Sequence, residues 1–435
     1  MREMKDSGVE WIGEIPATWH TSKIKHHFLV GSGTTPKSDE PDYWDGDIIW
    51  ITPADFKTDD IYVQEGHRNL SRLGLKSSSL QIVPAGNIIF SKRAPIGQVV
   101  INSIDLCTNQ GCLTVIAKDD LEVRFYRYVM SVATEEFELA GSGTTFKEIS
   151  ASSFGNTILP STSVEEQKRI ANYLDSKCSK IDAIIEKQQT IIEKLKEYKL
   201  SVITEVVTKG LDANIEMIDS GVEWLGKYPA HWRYLSFKNV LLERNEKNIP
   251  VKTEERLSLS IDKGVTLYAE KTTNLDRFKE DVSQYKLAHE GDLVLNSMNM
   301  IVGAIGVSKY FGCVSPAYYT YYDTEEDHIT TKYCEYLFRC KTMRKVLYSL
   351  GKGIMSIDRG DDKINTCRLK VSRNDLRALK IPVPPVDEQR NIVKYLVHKE
   401  QIIDKTISDR EYAIAKLQEY KKSLIYEVVT GKKEV

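Results

Sequence analysis

At 435 residues the chain is longer than one ordinary hydrophobic core serves, and two to four domains are expected. Its 28% charged and 41% hydrophobic residues describe a soluble globular protein, while a net charge of −2 excludes a uniformly basic coater of nucleic acid, so any such surface must be a local patch. No apolar run approaches the roughly 18 residues of a membrane span, and the opening MREMKDSGVEW carries charges of both signs with no apolar stretch, so it is not a signal peptide and a cytoplasmic protein is expected.

In chain order the first feature is an opening motif, DSGVEWIGEIPATW at 6–19, which returns as DSGVEWLGKYPAHW at 219–232 with ten of fourteen positions identical. Between the copies lies an interior, 20–160, of short β-rich runs: DIIWIT (47–52), GNIIFS (86–91) and QVVINS (98–103), set off by Gly, Pro, Asn and Asp. A helical stretch follows at 124–139, and then ILPSTS leads into a segment, 164–208, whose apolar spacing predicts one long helix. The second interior, 233–380, repeats the texture with GDLVLNS (291–297), AYYTYY (317–322) and a helical stretch at 332–350. A final segment, 386–430, follows the proline-rich IPVPP and matches 164–208 at 22 of 45 positions.

The expected organisation is therefore mixed α/β: a first domain with its opening motif at 1–160, a long helix within 161–215, a second domain with the repeated motif at 216–380 and a second long helix within 381–435. Ile170, Leu174, Ile181, Ile184, Ile191, Leu195, Tyr198 and Val202 alternate at three and four, as do Ile392, Leu396, Ile403, Ile407, Ile414, Leu417, Tyr420 and Leu424. Such spacing predicts coiled-coil seams. Lys177 and Gln188 interrupt the first seam, and Lys399 and Arg410 the second at equivalent places, which reads as a device that fixes register; the alternative is that they face solvent where the seam drifts. Ser163 and Asp387 are the expected helix caps.

Catalytic chemistry finds little support. There is no G-x-x-x-x-G-K-[ST] phosphate loop, no G-x-S-x-G elbow, no H-E-x-x-H and no N/D-P-P-F/Y methyltransferase motif. Cysteines 107, 112, 178, 313, 334, 340 and 367 lack paired C-x-x-C spacing, which predicts buried thiols and no metal site. Glu166 with Lys168 spells the E-x-K of nuclease cores, but an acid in the first turn of a helix is favoured by the helix dipole alone.

Recognition of DNA has positive features. Lys92 and Arg93 precede a Pro-Gly turn that can expose them, and Asn109 beside Gln110 offers amides of the kind that read adenine in the major groove. Thr144, Thr145 and Lys147 lie in a glycine-flexible loop suited to phosphate contacts. In the second half the comparable residues are Asn296, Ser297, Asn299, Ser315, Tyr318, Tyr319, Lys352, Ser356 and Arg359. The two interiors differ in charge, net −4 for 20–160 and net +5 for 233–380, so in the first the acidic groups would have to sit away from a duplex.

The repeated opening motifs, the run GSGTTPKSDEPDYWDGDIIWITPADF (31–56), the Glu-Gln helix starts at LPSTSVEEQKRI and PPVDEQRNI, and the duplicated layout resemble the specificity subunits of type I restriction-modification enzymes. That resemblance implies two target-recognition domains joined by two long antiparallel coiled-coil helices with pseudo-two-fold symmetry, reading an asymmetric, bipartite target in double-stranded DNA. It also implies two modification subunits that bring S-adenosylmethionine, restriction subunits that bring ATP with Mg, and neither a cofactor nor catalysis in this chain. The second interior lacks the TTPKSDEPDYW run and has LSLSIDKGVTLY (257–268) instead, so residue assignments do not transfer between halves. A coiled-coil scaffold without DNA specificity is the competing reading; divergent interiors inside a repeated frame speak against it.

Overall fold

A computed structural model describes residues 2–56, 61–78, 80–93, 95–118, 120–142, 147–270, 281–324, 327–353 and 369–435. The chain forms two compact units, and their boundaries do not follow the sequence repeat. One unit contains Met1–Gln188 together with Glu411–Val435, and the other contains Gln189–Arg410. Each therefore holds one interior, the start of the long helix that follows it and the end of the other long helix.

The core of the first unit is a five-stranded sheet in the order Phe28–Ser32, Cys112–Ala117, Ile88–Ser91, Val99–Asn102, Tyr62–Val63, antiparallel except for its last pair. Ile88, Ile89, Phe90 and Ser91 are all buried, so this strand is covered on both faces, which explains a continuous apolar run where a half-exposed strand would alternate. Trp44–Ile51 forms a second sheet with Cys107–Thr108 and Arg68–Leu70. The expected helix at 124–139 is two helices, Val123–Val132 and Thr134–Ala140, broken at Ala133. The break lets Tyr128 and Phe137 enter the same core, where Phe137 stacks on Phe154 with centroids 5.1 Å apart.

The second unit is built on a four-stranded sheet in the order Leu242–Glu243, Tyr318–Tyr322, Leu293–Asn296, Ile305–Val307. Its expected helix also divides, into Ile329–Arg339 and Lys341–Leu350, because Cys340 is extended; Tyr333, Leu337, Met343 and Leu347 from both pieces share one core.

The same frame surrounds both interiors. Met4–Asp6 pairs with Glu14–Pro16 as Met217–Asp219 pairs with Lys227–Pro229, and His20–Lys23 pairs with Ile158–Ser161 as Arg233–Ser236 pairs with Lys380–Val383. Both closing strands lead into a long helix, Val164–Lys209 (46 residues) or Val386–Val429 (44 residues), each about 65–70 Å at 1.5 Å per residue. Ser163 accepts from the Glu166 N–H and caps the first helix as expected. Asp387 is not a cap: the second helix begins at Val386, and Asp387 lies in its first turn as an acceptor for Arg390.

The Glu-Gln pair at each helix start has a physical role. Gln167 and Gln389 are buried and turn their amide N–H back onto the carbonyls of Thr162 (2.7 Å) and Pro384 (2.9 Å), tying each helix to the strand before it. Glu166 accepts from Trp19 Nε1 at 2.9 Å, from Thr162 at 2.7 Å and from Arg2, so it anchors the opening motif to the helix. Glu388 is held by His231 at 2.8 Å instead, and the Trp232 indole N–H has no hydrogen bond among the described residues. The end of the second helix closes the first copy of the motif, with the Tyr426 hydroxyl donating to the Trp11 carbonyl (3.0 Å) and Lys432 to that of Ile12 (2.6 Å).

The long helices pack antiparallel within each unit: in the second, Val202, Ile203 and Val206 share a core with Ile392 and Leu396, while Lys199, nearer the start of its helix, bridges Glu400 and Asp404 further along the other. Ile170, Leu174, Ile181, Ile392, Leu396 and Ile403 are buried as expected, and Leu195 and Leu417 half-buried. Elsewhere the seam is displaced by one residue. Cys178 is buried while Lys177 is exposed, Ile192 is buried more deeply than Ile191, and Tyr198 and Tyr420 are about half exposed while the lysines after them, Lys199 and Lys421, face the partner helix. The covered positions keep a seven-residue repeat, Ala171, Cys178, Ile185, Ile192, Lys199 and Val206 alternating with Leu174, Ile181, Gln188, Leu195 and Val202, so one of the two seam positions lies one residue later than the apolar spacing places it. Lys177 thus takes the solvent-facing alternative.

A repeat-related pair of ion pairs follows from this displacement. Lys421 meets Asp182 at 2.7 Å in the first unit, and Lys199 meets Asp404 at 2.8 Å in the second. An offset of 222 maps Lys199 onto Lys421 and Asp182 onto Asp404, so the same two repeat positions make both bridges.

Candidate nucleic-acid interface

In the first unit the tight turn after Ile88–Ser91 carries Lys92 and Arg93, and the Lys92 backbone is fixed by bonds to Gly111 (3.0 Å) and Ile149 (3.1 Å). Both cations bond one carboxylate: Lys92 Nζ to Glu148 Oε1 at 2.9 Å and Arg93 Nε to Glu148 Oε2 at 2.8 Å. Lys92 is largely covered, with 12% of its side chain exposed, whereas Arg93 is half exposed. Hydrogen bonding from Lys92, opposed by burial and reinforced by Arg93, holds Glu148 below the usual carboxylate range. Lys147 is exposed beside it; Thr144 and Thr145 lie outside the described residues.

Asn109 and Gln110 stand at the next turn. The Asn109 amide oxygen accepts the Gly111 N–H at 2.8 Å and so shapes its own turn, while the Gln110 amide oxygen accepts from the Thr35 hydroxyl. Gly33 brings Thr35 there: a Cβ at this position would lie 2.1 Å from the Thr108 carbonyl oxygen, and the Thr34 N–H bonds that same carbonyl at 3.0 Å. The run 31–56 therefore lies against 107–112, and Thr35 joins the amides, a placement that no local spacing reveals.

In the second unit the sequence-selected residues separate into two groups. Asn296 and Ser297 are buried, the first accepting the Met298 N–H and the second giving its carbonyl to Val371, so they build the turn and do not reach solvent; Asn299 is exposed on it. Tyr319 and Lys352 instead line an open cleft with Pro316, Ala317, Lys370, Ser372 and Arg373. Ser315 shapes its rim by accepting the Ala317 N–H, and Tyr318 is half-buried behind it, its carbonyl taken by Lys286 at 3.1 Å. The Arg373 guanidinium lies over the Tyr319 ring at 5.8 Å, and burial, together with the nearby Arg373 charge, lowers the pKa of Lys286. Ser356 and Arg359 lie outside the described residues.

The sequence missed Lys370, Arg373 and Lys286. Lys370 reaches the cleft because Lys370–Val371 pairs with Gly351–Lys352, and Arg373 because Ser372 caps the short helix after it. Among the described residues no three His, Cys, Asp or Glu side chains are grouped so as to hold a metal ion, and no helix is long and apolar enough to cross a membrane. The six described cysteines are free and buried; burial pushes the Cys107 thiol up to about 11.

Residues 16–198 match the family model described as the type I restriction modification DNA specificity domain. This likeness lies in the first half of the chain. Similar proteins carry the same description: the type I restriction enzyme MjaIX specificity subunit of Methanocaldococcus jannaschii is 39% identical over 42% of this chain and 43% of its own length. A putative type I specificity subunit of the same organism is 26% identical over 45% of this chain and 44% of its own. The chain thus spans less than half the length of these relatives where it matches them. In fold the likeness covers nearly everything. A chain from a structure of complex assembly and conformational transition in a type I R-M system superposes with a TM-score of 0.68 at 16% identity, over 96% of this chain and 99% of that one. The HsdS subunit of Thermoanaerobacter tengcongensis gives 0.53 at 15% identity, over 96% and 98%. The likeness in fold thus extends over both halves, in agreement with the internal repeat.

Proposed function

We propose that the chain is the DNA-reading component of a type I restriction-modification complex, in which each unit reads one half of an asymmetric, bipartite target in double-stranded DNA. The observation that carries this reading is the pairing of a repeated frame with divergent surfaces. Opening motifs, closing strands and helix starts are the same in both halves, while the loops that present Lys92, Arg93 and Gln110 in one differ from the cleft of Tyr319, Lys352, Lys370 and Arg373 in the other. A scaffold gains nothing from varying those surfaces, whereas a reader of two different half-sites requires it. Cations at loop tips supply phosphate contacts that position a duplex, and exposed amides supply base-edge contacts that specify it.

In this reading two modification subunits supply S-adenosylmethionine and methyl transfer, restriction subunits supply ATP- and Mg-dependent translocation and cleavage, and the chain contributes no catalytic group. The long helices space the two half-sites. Long-read mapping of methylated adenine in cells with and without this chain is the test: a bipartite motif that disappears on deletion is expected, and an unchanged methylome would refute the proposal. Methyl transfer from labelled S-adenosylmethionine by the purified chain alone would refute the non-catalytic assignment.

A further inference from the structure

Each candidate DNA surface contains the same electrostatic arrangement, made from unrelated residues. In the first unit Glu148 stands between Lys92 and Arg93, at 2.9 and 2.8 Å. In the second Glu243 stands between Arg373 and Arg377, its Oε1 3.0 Å from Arg373 Nε and its Oε2 3.5 Å from Arg377 Nη1. Neither carboxylate is a chance surface neighbour. Glu148 is fixed opposite Arg93 by a backbone bridge, and the Glu243 side chain is only 9% exposed, on a strand paired with Tyr321 and Tyr322. The positions do not correspond in the repeat: Glu148 lies late in its interior and Glu243 early, so common ancestry of the halves does not account for the pattern.

A carboxylate paired with two cations occupies the ground that phosphate oxygens would take, because carboxylate and phosphate are oxyanions drawn to the same cationic groups. A passing duplex must displace it to gain those cations. Loose, sequence-independent association, which is almost wholly phosphate neutralisation, is therefore weakened in proportion to the cations withheld. A duplex seated by its base contacts loses proportionally less, since those contacts do not depend on the pair.

We propose that Glu148 and Glu243 are specificity-determining residues that act as internal phosphate substitutes, withholding Lys92 and Arg93 in one unit and Arg373 and Arg377 in the other from DNA of the wrong sequence. The proposal rests on the DNA-recognition reading above.

The test uses the full chain purified from its host with the subunits that accompany it, a fluorescent duplex of random sequence and a duplex carrying the target found by methylome mapping. Glu148→Gln is expected to tighten binding to the random duplex roughly three- to tenfold at low salt and to steepen its salt dependence by about 0.9 for each cation released. Affinity for the target should rise less, so the ratio of the two falls. Glu165→Gln, the same charge change at an exposed position in the first turn of the first long helix, should leave the ratio within about twofold of wild type, within the small effects expected of surface charges. Glu243→Gln should behave as Glu148→Gln does; as the more buried of the two it is checked by thermal unfolding, and if it does not fold the half-exposed Glu148 decides the matter. A wild-type preference for the target that Glu148→Gln leaves intact, or an equal gain in Glu165→Gln, overturns this inference alone. A wild-type complex that shows no preference for the target overturns the recognition reading and this inference with it.

Discussion

Replacing Lys352 and Lys370 together with Ala tests whether the cleft of the second unit is a phosphate-binding surface. Both side chains are exposed, and the Lys352 pair with Asp375 is 3.2 Å long at a position where the lysine is 78% exposed, so the substitution should cost under about 1 kcal/mol of stability. If each lysine neutralises one phosphate, two counterions are no longer released, and the slope of log affinity against log salt should fall by about 1.8. Between roughly 50 and 200 mM salt a fourfold change raised to that power is about twelvefold, so wild-type affinity should drop about twelve times further than that of the variant. Anisotropy titrations of the intact complex on its target duplex across that range measure both slopes. Parallel slopes, with melting temperature unchanged, would show that the cleft does not hold the DNA backbone.

Three further outcomes are expected. Glu166→Ala removes the acceptor shared by Trp19, Thr162 and Arg2 and should destabilise the chain by about 2–4 kcal/mol, measured by urea unfolding. Burial alone would raise the Glu166 pKa, but the bonds from Thr162, Arg2 and Trp19 hold it below the ordinary 4.5, so its contribution is fully present above that value and is lost as pH falls through the folded-state pKa. Glu166→Gln should accordingly flatten the acid limb of a stability–pH curve, and an unaltered limb would refute the assignment. Four residues inserted after Gln188 and four after Arg410, about 6 Å of helix in each, should lengthen the gap in the methylated motif by one or two base pairs at about 3.4 Å each while both half-sites persist. Those positions are where one compact unit gives way to the other along each helix, and methylome sequencing that returns the original gap would refute a spacer role.

The frame was legible because its signals are local. Identity of the opening motifs, proline before each helix and three-four spacing placed both long helices within a residue or two of their observed limits. Apolar runs such as 88–91 gave the central strands for the same reason, since burial on both faces leaves a mark in composition. The seam was legible only in part, because apolar residues stand at adjacent positions and heptad spacing alone does not choose between them: Tyr198 and Tyr420 fit the count and yet are about half exposed, while the lysine after each takes the covered place. The candidate interface was least legible. Whether Lys92 is available depends on Glu148, 56 residues away, and Ser297 is buried because its backbone is claimed by Val371. Lys370 and Arg373 carry no motif at all; strand pairing and a serine cap deliver them to the cleft.

The two units also differ in how their polypeptide is supplied. Gln189–Arg410 is one uninterrupted stretch, so as the chain leaves the ribosome every residue of that unit is present once Arg410 has emerged. The other unit waits for the last 25 residues, because Leu424, Ile425, Val428 and Val429 complete a core that otherwise contains Ile12, Trp19, Ile170 and Leu174. The half that is synthesised first is thus finished last, with a long open loop to close and apolar surface uncovered in the interval. Chaperone demand during folding should therefore fall on the N-terminal half.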